Sequence, residues 1–364
     1  MNQRRLDLLI VLPLLGILAL GLTTLSSALS YNPQKFYVQL VWVALSATMF
    51  LIVTYRSRRT WENLAIPLYL VSLLFLFLVL IIGKKVGGAY RWLDLGFMNF
   101  QPSELAKVAI ILFLSYRLNQ KPTLQDGYKL RDLIPETVAV LLSMMLVYAE
   151  PDLGTSLLIG AVSLIIIFST KINRKRLIAL FLIAIVSAPL LWEFVLADYQ
   201  KRRVTAIVTM MWQDTGDESR TSQYHTKQSM IAVGSGRTTG KGYNAGTQNI
   251  LRFIPEHHTD FIFSVYAEEF GFSGCMLLLG LYLLLFYRTL EIIPLVRDKF
   301  MALVVIGTVS LLWLQVVINI GMVSGVLPVV GIPLPFFSYG GSALLANSIL
   351  MGLVHNFSIN SRYR

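Results

Sequence analysis

The residues of this chain that could do chemistry stand where polar sequence gives way to long apolar runs. Asp260 closes the run PEHHTD, and the next residue, Phe261, opens an apolar stretch. A carboxylate at a helix N-terminus is stabilised by the backbone dipole, which holds it ionised and able to accept a proton. That suits a general base, with a plain dipole partner as the competing reading. Glu268 and Glu269 lie about two turns further in, where an ionised side chain costs on the order of 3 kcal/mol and calls for partners, Lys107 being one candidate. Ahead of Asp260, five glycines between Gly234 and Gly246 surround Lys241 and could bring backbone amides to a phosphate. This is not a P-loop, because Ser235 stands where that motif needs its first glycine. His257 and His258 are adjacent, with no cysteine or second spaced histidine nearby, which is not a zinc spacing.

Three further clusters carry polar groups at span ends. In GGAYRWLDLGFMNFQPSELAK, Arg91 and Trp92 suit the lipid headgroup level, one for phosphate and one as an interfacial ring. Pro102 is tolerated only near a helix start, so Glu104 and Lys107 fall on one helical face about a turn inside the membrane. They are either a structural ion pair or part of a polar substrate cavity. In AEPDLGTS, Glu150 and Asp152 flank Pro151, and Asp152 is placed to cap the following helix. In NIGMVSGVLPVVGIPLPFFSYGGS, Pro328, Pro333, Pro335 and the Gly340-Gly341 pair break any helix, which predicts a reentrant loop buried in protein or lining a cavity.

The elements that must position these groups follow from composition. Of 364 residues, 55% are apolar and only 14% charged, against roughly 25% in soluble domains. That excludes an ordinary soluble protein and predicts about ten helices of about 20 residues each. The runs place them near 7–26, 36–55, 64–82, 103–117, 133–149, 153–170, 177–196, 261–287, 300–323 and 341–357, the first as an uncleaved helix. The fold class is thus an all-α polytopic membrane protein, one transmembrane domain over residues 1–364. With the N-terminus inside, inner segments hold 18 basic residues and the short outer loops only Lys35, Lys84, Lys85 and Arg91. Both termini are therefore expected to be cytoplasmic. The net charge of +11 belongs to this sidedness and to anionic lipid, with no nucleic acid implied. Cys275 is the single cysteine, so no intrachain disulfide can form.

Residues 197–260, between spans seven and eight, form one large extracytoplasmic loop, too long for a simple connection. Val204, Ile207, Val208, Met211 and Trp212 share a helical face after Lys201, Arg202 and Arg203. That suits either an interfacial helix on anionic headgroups or a helix on the loop's own core.

Taken together the four clusters resemble the SEDS family of shape, elongation, division and sporulation proteins, and its elongation branch most. The runs PVVGIPLPFFSYGGS and PEHHTDFIF carry the likeness. The resemblance implies a peptidoglycan glycosyltransferase that polymerises lipid II into a β-1,4 glycan strand at the outer face of the cytoplasmic membrane. It implies a class B penicillin-binding protein as transpeptidase partner. The family's essential aspartate falls on Asp260. Arg91-Trp92, the run Gln101 to Lys107, Asp152 and the run Ser338 to Ser342 also match family positions. Substrate contacts are expected from Arg91, Trp92, Gln101, Lys107, Asp152, Lys241, Arg252, His258 and Ser338, with Glu104, Glu268 and Glu269 supporting. Pyrophosphate cations would come from Arg91, Lys241, Arg252 or Arg202, then Lys84 or Lys85. A divalent ion, magnesium or manganese, could share that task, but no dedicated ligand set is visible. Two departures stand out: Arg237 occupies the usual second glycine of a GSGG run, and residues 210–224 lack the usual Asp-Pro-rich pattern. The alternatives are a lipid II flippase, which would favour two related halves that are not found, and a non-catalytic scaffold.

Overall fold

Nine of the ten expected spans are helices in the computed structural model, which describes residues 6–86, 89–94, 96, 99–121, 128–170, 220–247, 258–296 and 298–361. They are α1 (Leu8–Ala28), α2 (Pro33–Tyr55), α3 (Arg58–Ile82), α4 (Pro102–Gln120), α5 (Ile134–Ala149), α6 (Leu153–Phe168), α8 (Ile262–Ile292), α9 (Lys299–Val323) and α10 (Gly341–Ser361). The expected span at 177–196 and the helix at 204–212 lie outside the described residues. Seven of these helices are long and apolar enough to cross a membrane. Of the other two, α6 is short and α4 carries Glu104, Lys107 and Arg117.

Local chemistry sets the helix ends. Asn32, Ser57, Asp152 and Asp298 accept backbone N–H bonds as N-caps of α2, α3, α6 and α9, satisfying donors that a first turn leaves open. Pro33 and Pro102 sit in the first turns of α2 and α4, where a missing N–H costs nothing. At the far end of α2, Asn356 Nδ2 donates to the carbonyls of Thr54 at 2.5 Å and Arg56 at 2.7 Å.

Burial separates centre from rim. The apolar window of α10 is 83% buried and that of α2 only 17%, so α10 runs through the middle while α2 turns most of its apolar surface outward, as a lipid-facing helix does. Close contact of α2 with α10 needs glycine: a Cβ on Gly341 would strike the Trp42 ring at 2.0 Å. Two features were not expected. Residues Lys84–Val86 (β1), Ala89–Asp94 (β2) and Asn99–Phe100 (β3) form a small antiparallel sheet, with Leu93 opposite Phe100. Between them and α8, Arg220–Ser235 form α7, tied to α9 by Ser229 Oγ donating to Val323 O at 2.9 Å.

At the end of the bundle opposite Asp260, buried polar groups lock three helices. Arg288 of α8 and Ser358 of α10 both donate to Asp7 Oδ2, at 2.8 and 2.5 Å, and the Asp7 N–H donates to His355 Nε2 at 3.0 Å.

Candidate active site

Asp260 lies half-buried in the turn 258–260, one residue ahead of Phe261, the N-cap of α8, so the helix dipole acts on its carboxylate from just outside the first turn. The turn is pinned from two sides. Asn319 Nδ2, buried on α9, donates to Asp260 O at 2.9 Å and to Ile332 O at 2.7 Å. The Tyr339 N–H donates to His258 O at 3.0 Å.

These bonds draw in the segment between α9 and α10. It is non-helical, as its prolines require, and its second part, residues 332–338, is largely buried among helices, the condition under which irregular backbone is tolerated at membrane depth. Ser338 Oγ accepts from Leu334 N at 2.8 Å, and Tyr282 of α8 donates to Pro335 O at 2.6 Å. Gly331 has φ +80°, and a Cβ there would sit 3.4 Å from Asp260 Oδ2, so the carboxylate rests over the Gly331 backbone. One residue earlier, Val330 fills the space beside Gly154, where a Cβ would come within 2.1 Å of its Cγ1. Residues 330–332 therefore stand between Asp260 and the start of α6.

The Glu150-Asp152 turn lies at that start. Asp152 accepts from Thr155 N at 3.1 Å, the capping role. Arg91, on β2, clamps the turn: its Nε donates to Glu150 O at 3.0 Å, a terminal nitrogen donates to Pro151 O, and another lies 3.9 Å from Asp152 Oδ2. Much of the guanidinium expected to meet headgroup phosphate is thus spent on protein carbonyls. Glu150 is fully buried, and among the described residues neither of its carboxyl oxygens has a hydrogen-bond partner. Burial, with the nearby Asp152 charge, pushes its pKa up to about 9 against the opposing pull of Arg91.

The first cluster joins the same place. Gln101 N donates to Ser342 Oγ at 3.3 Å, linking the start of α4 to the start of α10. Below it Lys107 donates to Glu104 Oε1 at 2.8 Å, both side chains almost fully buried. Glu104 Oε2, Ser103 Oγ and both amide atoms of Gln315 on the neighbouring α9 have no partner among the described residues. Each such buried polar atom costs about 1–3 kcal/mol, so this region carries both the ion pair and unmet hydrogen-bonding capacity. Trp92 is half-buried on β2.

One expectation is corrected. Glu268 and Glu269 do not turn to Lys107. Glu268 Oε1 lies 2.6 Å from Lys241 Nζ, and Glu269 accepts from Ser27 of α1. The reason is a break in α8: Gly271, at φ 64° and ψ −164°, splits the helix and leaves backbone groups open. The glycine-rich segment fills them. The N–H groups of Lys241 and Gly242 donate to the carbonyls of Glu268 and Glu269, both at 3.0 Å. The N–H groups of Phe272 and Ser273 donate to Arg237 and Thr238 carbonyls at 2.8 and 2.9 Å. Five glycines read as a possible phosphate cradle thus include those that let two backbones meet: a Cβ on Gly240 would fall 2.1 Å from Glu269 O. The same contact sets Lys241 beside Glu268 and Thr247.

His258 is buried and takes Lys35 Nζ of α2 at 3.3 Å on its Nε2, with the ring edge-on to Tyr339. Sequence reasoning overlooked Lys35, Asn319 and Gly331 as site residues. Asn319 carried a signal, since an amide inside an apolar helix needs a buried partner. Arg252 and Arg202 lie outside the described residues, as does the side chain of Lys85. Among the described residues, no three His, Cys, Asp or Glu side chains come together to hold a metal.

All four sequence clusters therefore converge around Asp260, and comparison with known proteins gives that convergence a family. The model FtsW/RodA/SpoVE, described as cell cycle protein, matches residues 3–363. The chain belongs to this family. It is 37% identical over 357 residues to the peptidoglycan glycosyltransferase MrdB of Escherichia coli K12, covering 97% of this chain and 93% of that one. It is 33% identical over 367 residues to a probable peptidoglycan glycosyltransferase FtsW of Geobacter sulfurreducens, covering 97% and 95%. Among solved structures, RodA of Thermus thermophilus aligns over 100% of both chains at TM-score 0.72 and 31% identity. A chain from a study of polymerization and crosslinking by a peptidoglycan synthase complex aligns over 99% of both at TM-score 0.83 and 32% identity. In this FtsW/RodA/SpoVE chain, Arg91, Gln101, Asp152 and Ser342 join the neighbouring loops and helix starts at the Asp260 end.

Proposed function

We propose that this chain is a peptidoglycan glycosyltransferase that joins lipid II disaccharide units into β-1,4 glycan at the outer face of the cytoplasmic membrane during cell elongation, with Asp260 as its base. The observation that carries the assignment is the seat of Asp260: a half-buried carboxylate over bare glycine backbone, ahead of a helix N-terminus, at the junction of four polar clusters. Asp260 takes the proton from the acceptor sugar's 4-hydroxyl as that oxygen bonds to the donor's anomeric carbon. The bond from that carbon to the lipid pyrophosphate breaks, and the pyrophosphate leaves with the electron pair. A single displacement inverts an α-linked donor to a β-linked product, so one base suffices. A positioned base supplies about 10²–10⁴ in rate, and cations fixed at the departing phosphates add to it. Arg91, Lys241 and Arg252 are the candidates for that second task, with Lys107, Trp92, Gln101, His258 and Ser338 as substrate contacts. The excess of inner basic residues supports an outward-facing site. The likeness of this chain to one from a study of a peptidoglycan synthase complex supports a class B penicillin-binding protein as transpeptidase partner.

The test is polymerisation of lipid II by the purified protein in detergent, with and without the transpeptidase. Wild type should lengthen glycan strands, and Asp260→Asn should lower the rate by about 10²-fold or more while keeping its Tm. Undiminished synthesis by a folded Asp260→Asn protein would remove Asp260 from the role.

A further inference from the structure

One face of α2 combines a cation with an apolar trough. Lys35, Gln39, Val43, Ala47 and Phe50 recur every three or four residues, so they share a stripe down the helix. At its top, Lys35 Nζ meets His258, two residues before Asp260, and among the described residues none of its contacts is a carboxylate. One turn down, Gln39 Oε1 accepts from Gly340 N at 3.2 Å, which fixes the stripe against the segment that bears Gly331. Below that, α1 and α2 part around a crevice with about 120 Å³ of space, lined by Leu14, Leu18, Val43, Ala47, Phe336 and Leu344. Its walls run from Val11 to Leu18 on α1 and from Val43 to Phe50 on α2, about 10 Å at 1.5 Å per residue. Apolar cavities of about this size stay dry and take hydrocarbon.

A compact ammonium above a narrow hydrocarbon slot, on one helix, is complementary to a phosphate ester on a lipid chain. We propose that Lys35 binds a phosphate oxygen of the isoprenoid-linked substrate and that the α1–α2 crevice, which begins at Val43 about 12 Å further down the helix, takes the tail beyond its first two isoprene units. The inference rests on the glycosyltransferase reading above and adds the place where the lipid arm is held. Phe336, at the crevice wall, belongs to the same segment as Gly331 under Asp260, so a tail seated there would hang its phosphates beside the base.

The experiment is lipid II polymerisation kinetics on the full chain with its transpeptidase, for wild type, Lys35→Gln, Lys35→Arg and Ala47→Phe, each checked for an unchanged Tm. Ala47 is exposed, so a phenylalanine there fills the crevice without entering the core. Lys35→Gln should raise KM at least about tenfold, the size of one hydrogen bond to a charged group, with kcat within threefold, and Lys35→Arg should recover most of it. Ala47→Phe should raise KM for the long-chain substrate and leave that for a ten-carbon-tail analogue unchanged. Undecaprenyl phosphate should inhibit wild type and lose potency against both Lys35→Gln and Ala47→Phe. KM values unchanged in Lys35→Gln and Ala47→Phe would overturn the proposal. Equal inhibition by dioleoylphosphatidylglycerol would assign the crevice to bulk lipid and overturn it too. Wild type that makes no glycan at all would instead strike at the activity, a separate failure.

Discussion

Glu150 shows how a buried carboxyl reports on its surroundings. Among the described residues neither of its carboxyl oxygens has a hydrogen-bond partner, and burial pushes its pKa up to about 9, so the folded protein keeps it protonated while the unfolded chain releases the proton near the ordinary value of about 4.3. Across that interval the native state binds more protons than the unfolded one, so stability is greatest below about 4.3, falls as pH rises toward 9, and levels off above. Glu150→Gln, which copies the neutral acid, should remove this dependence. Its Tm should match wild type near pH 4 and exceed it by about 3 °C or more at pH 8, read by thermal unfolding in detergent. The opposite pH trend would place a charged carboxylate in that turn.

At the scale of elements, the broken α8 and the segment laid into it act as one unit. A helix interrupted at Gly271 exposes carbonyls on one side and N–H groups on the other, and residues 236–242 answer both sets. Arg237 pays for this arrangement, because it adopts φ 49°, a left-handed conformation that costs a residue with a Cβ about 1–2 kcal/mol. A glycine at that position would not meet the cost. Arg237→Gly should therefore stabilise the protein by about 0.5–1 kcal/mol after the extra freedom of glycine in the unfolded chain is subtracted, measured as a shift in Tm. A loss of stability would mean that the arginine side chain holds the loop by a contact of its own.

For the whole molecule, polar groups gather at both ends and apolar surface covers the flank. One end holds Asp260, the sheet and the loop joints. The other is tied by Asp7, Arg288 and Ser358, by Arg58 with Asp298 at 2.6 Å, and by Glu136 with Lys121 at 2.6 Å. If the Asp260 end faces outward, an exposed cysteine there should react with a membrane-impermeant maleimide on intact cells. Tyr243→Cys should label, and Arg59→Cys, exposed at the opposite end, should label only after permeabilisation. Native Cys275 is buried and should stay silent in both. The reverse pattern would invert the proposed topology.

Much of this was legible in the residues. Apolar run length against bilayer thickness located nine helices to within a few positions, because the cost of burying charge in hydrocarbon is local and depends on composition. Pro102, Asp152 and the proline-rich run before α10 announced their helix ends for equally local reasons. Partner choice was another matter beyond the i,i+3 pair Glu104–Lys107: Glu268 with Lys241 and Arg91 on the Glu150-Pro151 turn are decisions between groups far apart in sequence. The sheet depended on pairing three short segments, whose propensity alone is weak. Sequence by itself thus determined that the chain is a bundle of membrane helices with an acid at the mouth of one, since patterns of a few residues set burial and helix ends. Only the tertiary structure decided that the four motifs share one site, that the glycines splice a broken helix, and that Lys35 stands beside His258, because which distant side chains meet is settled by packing.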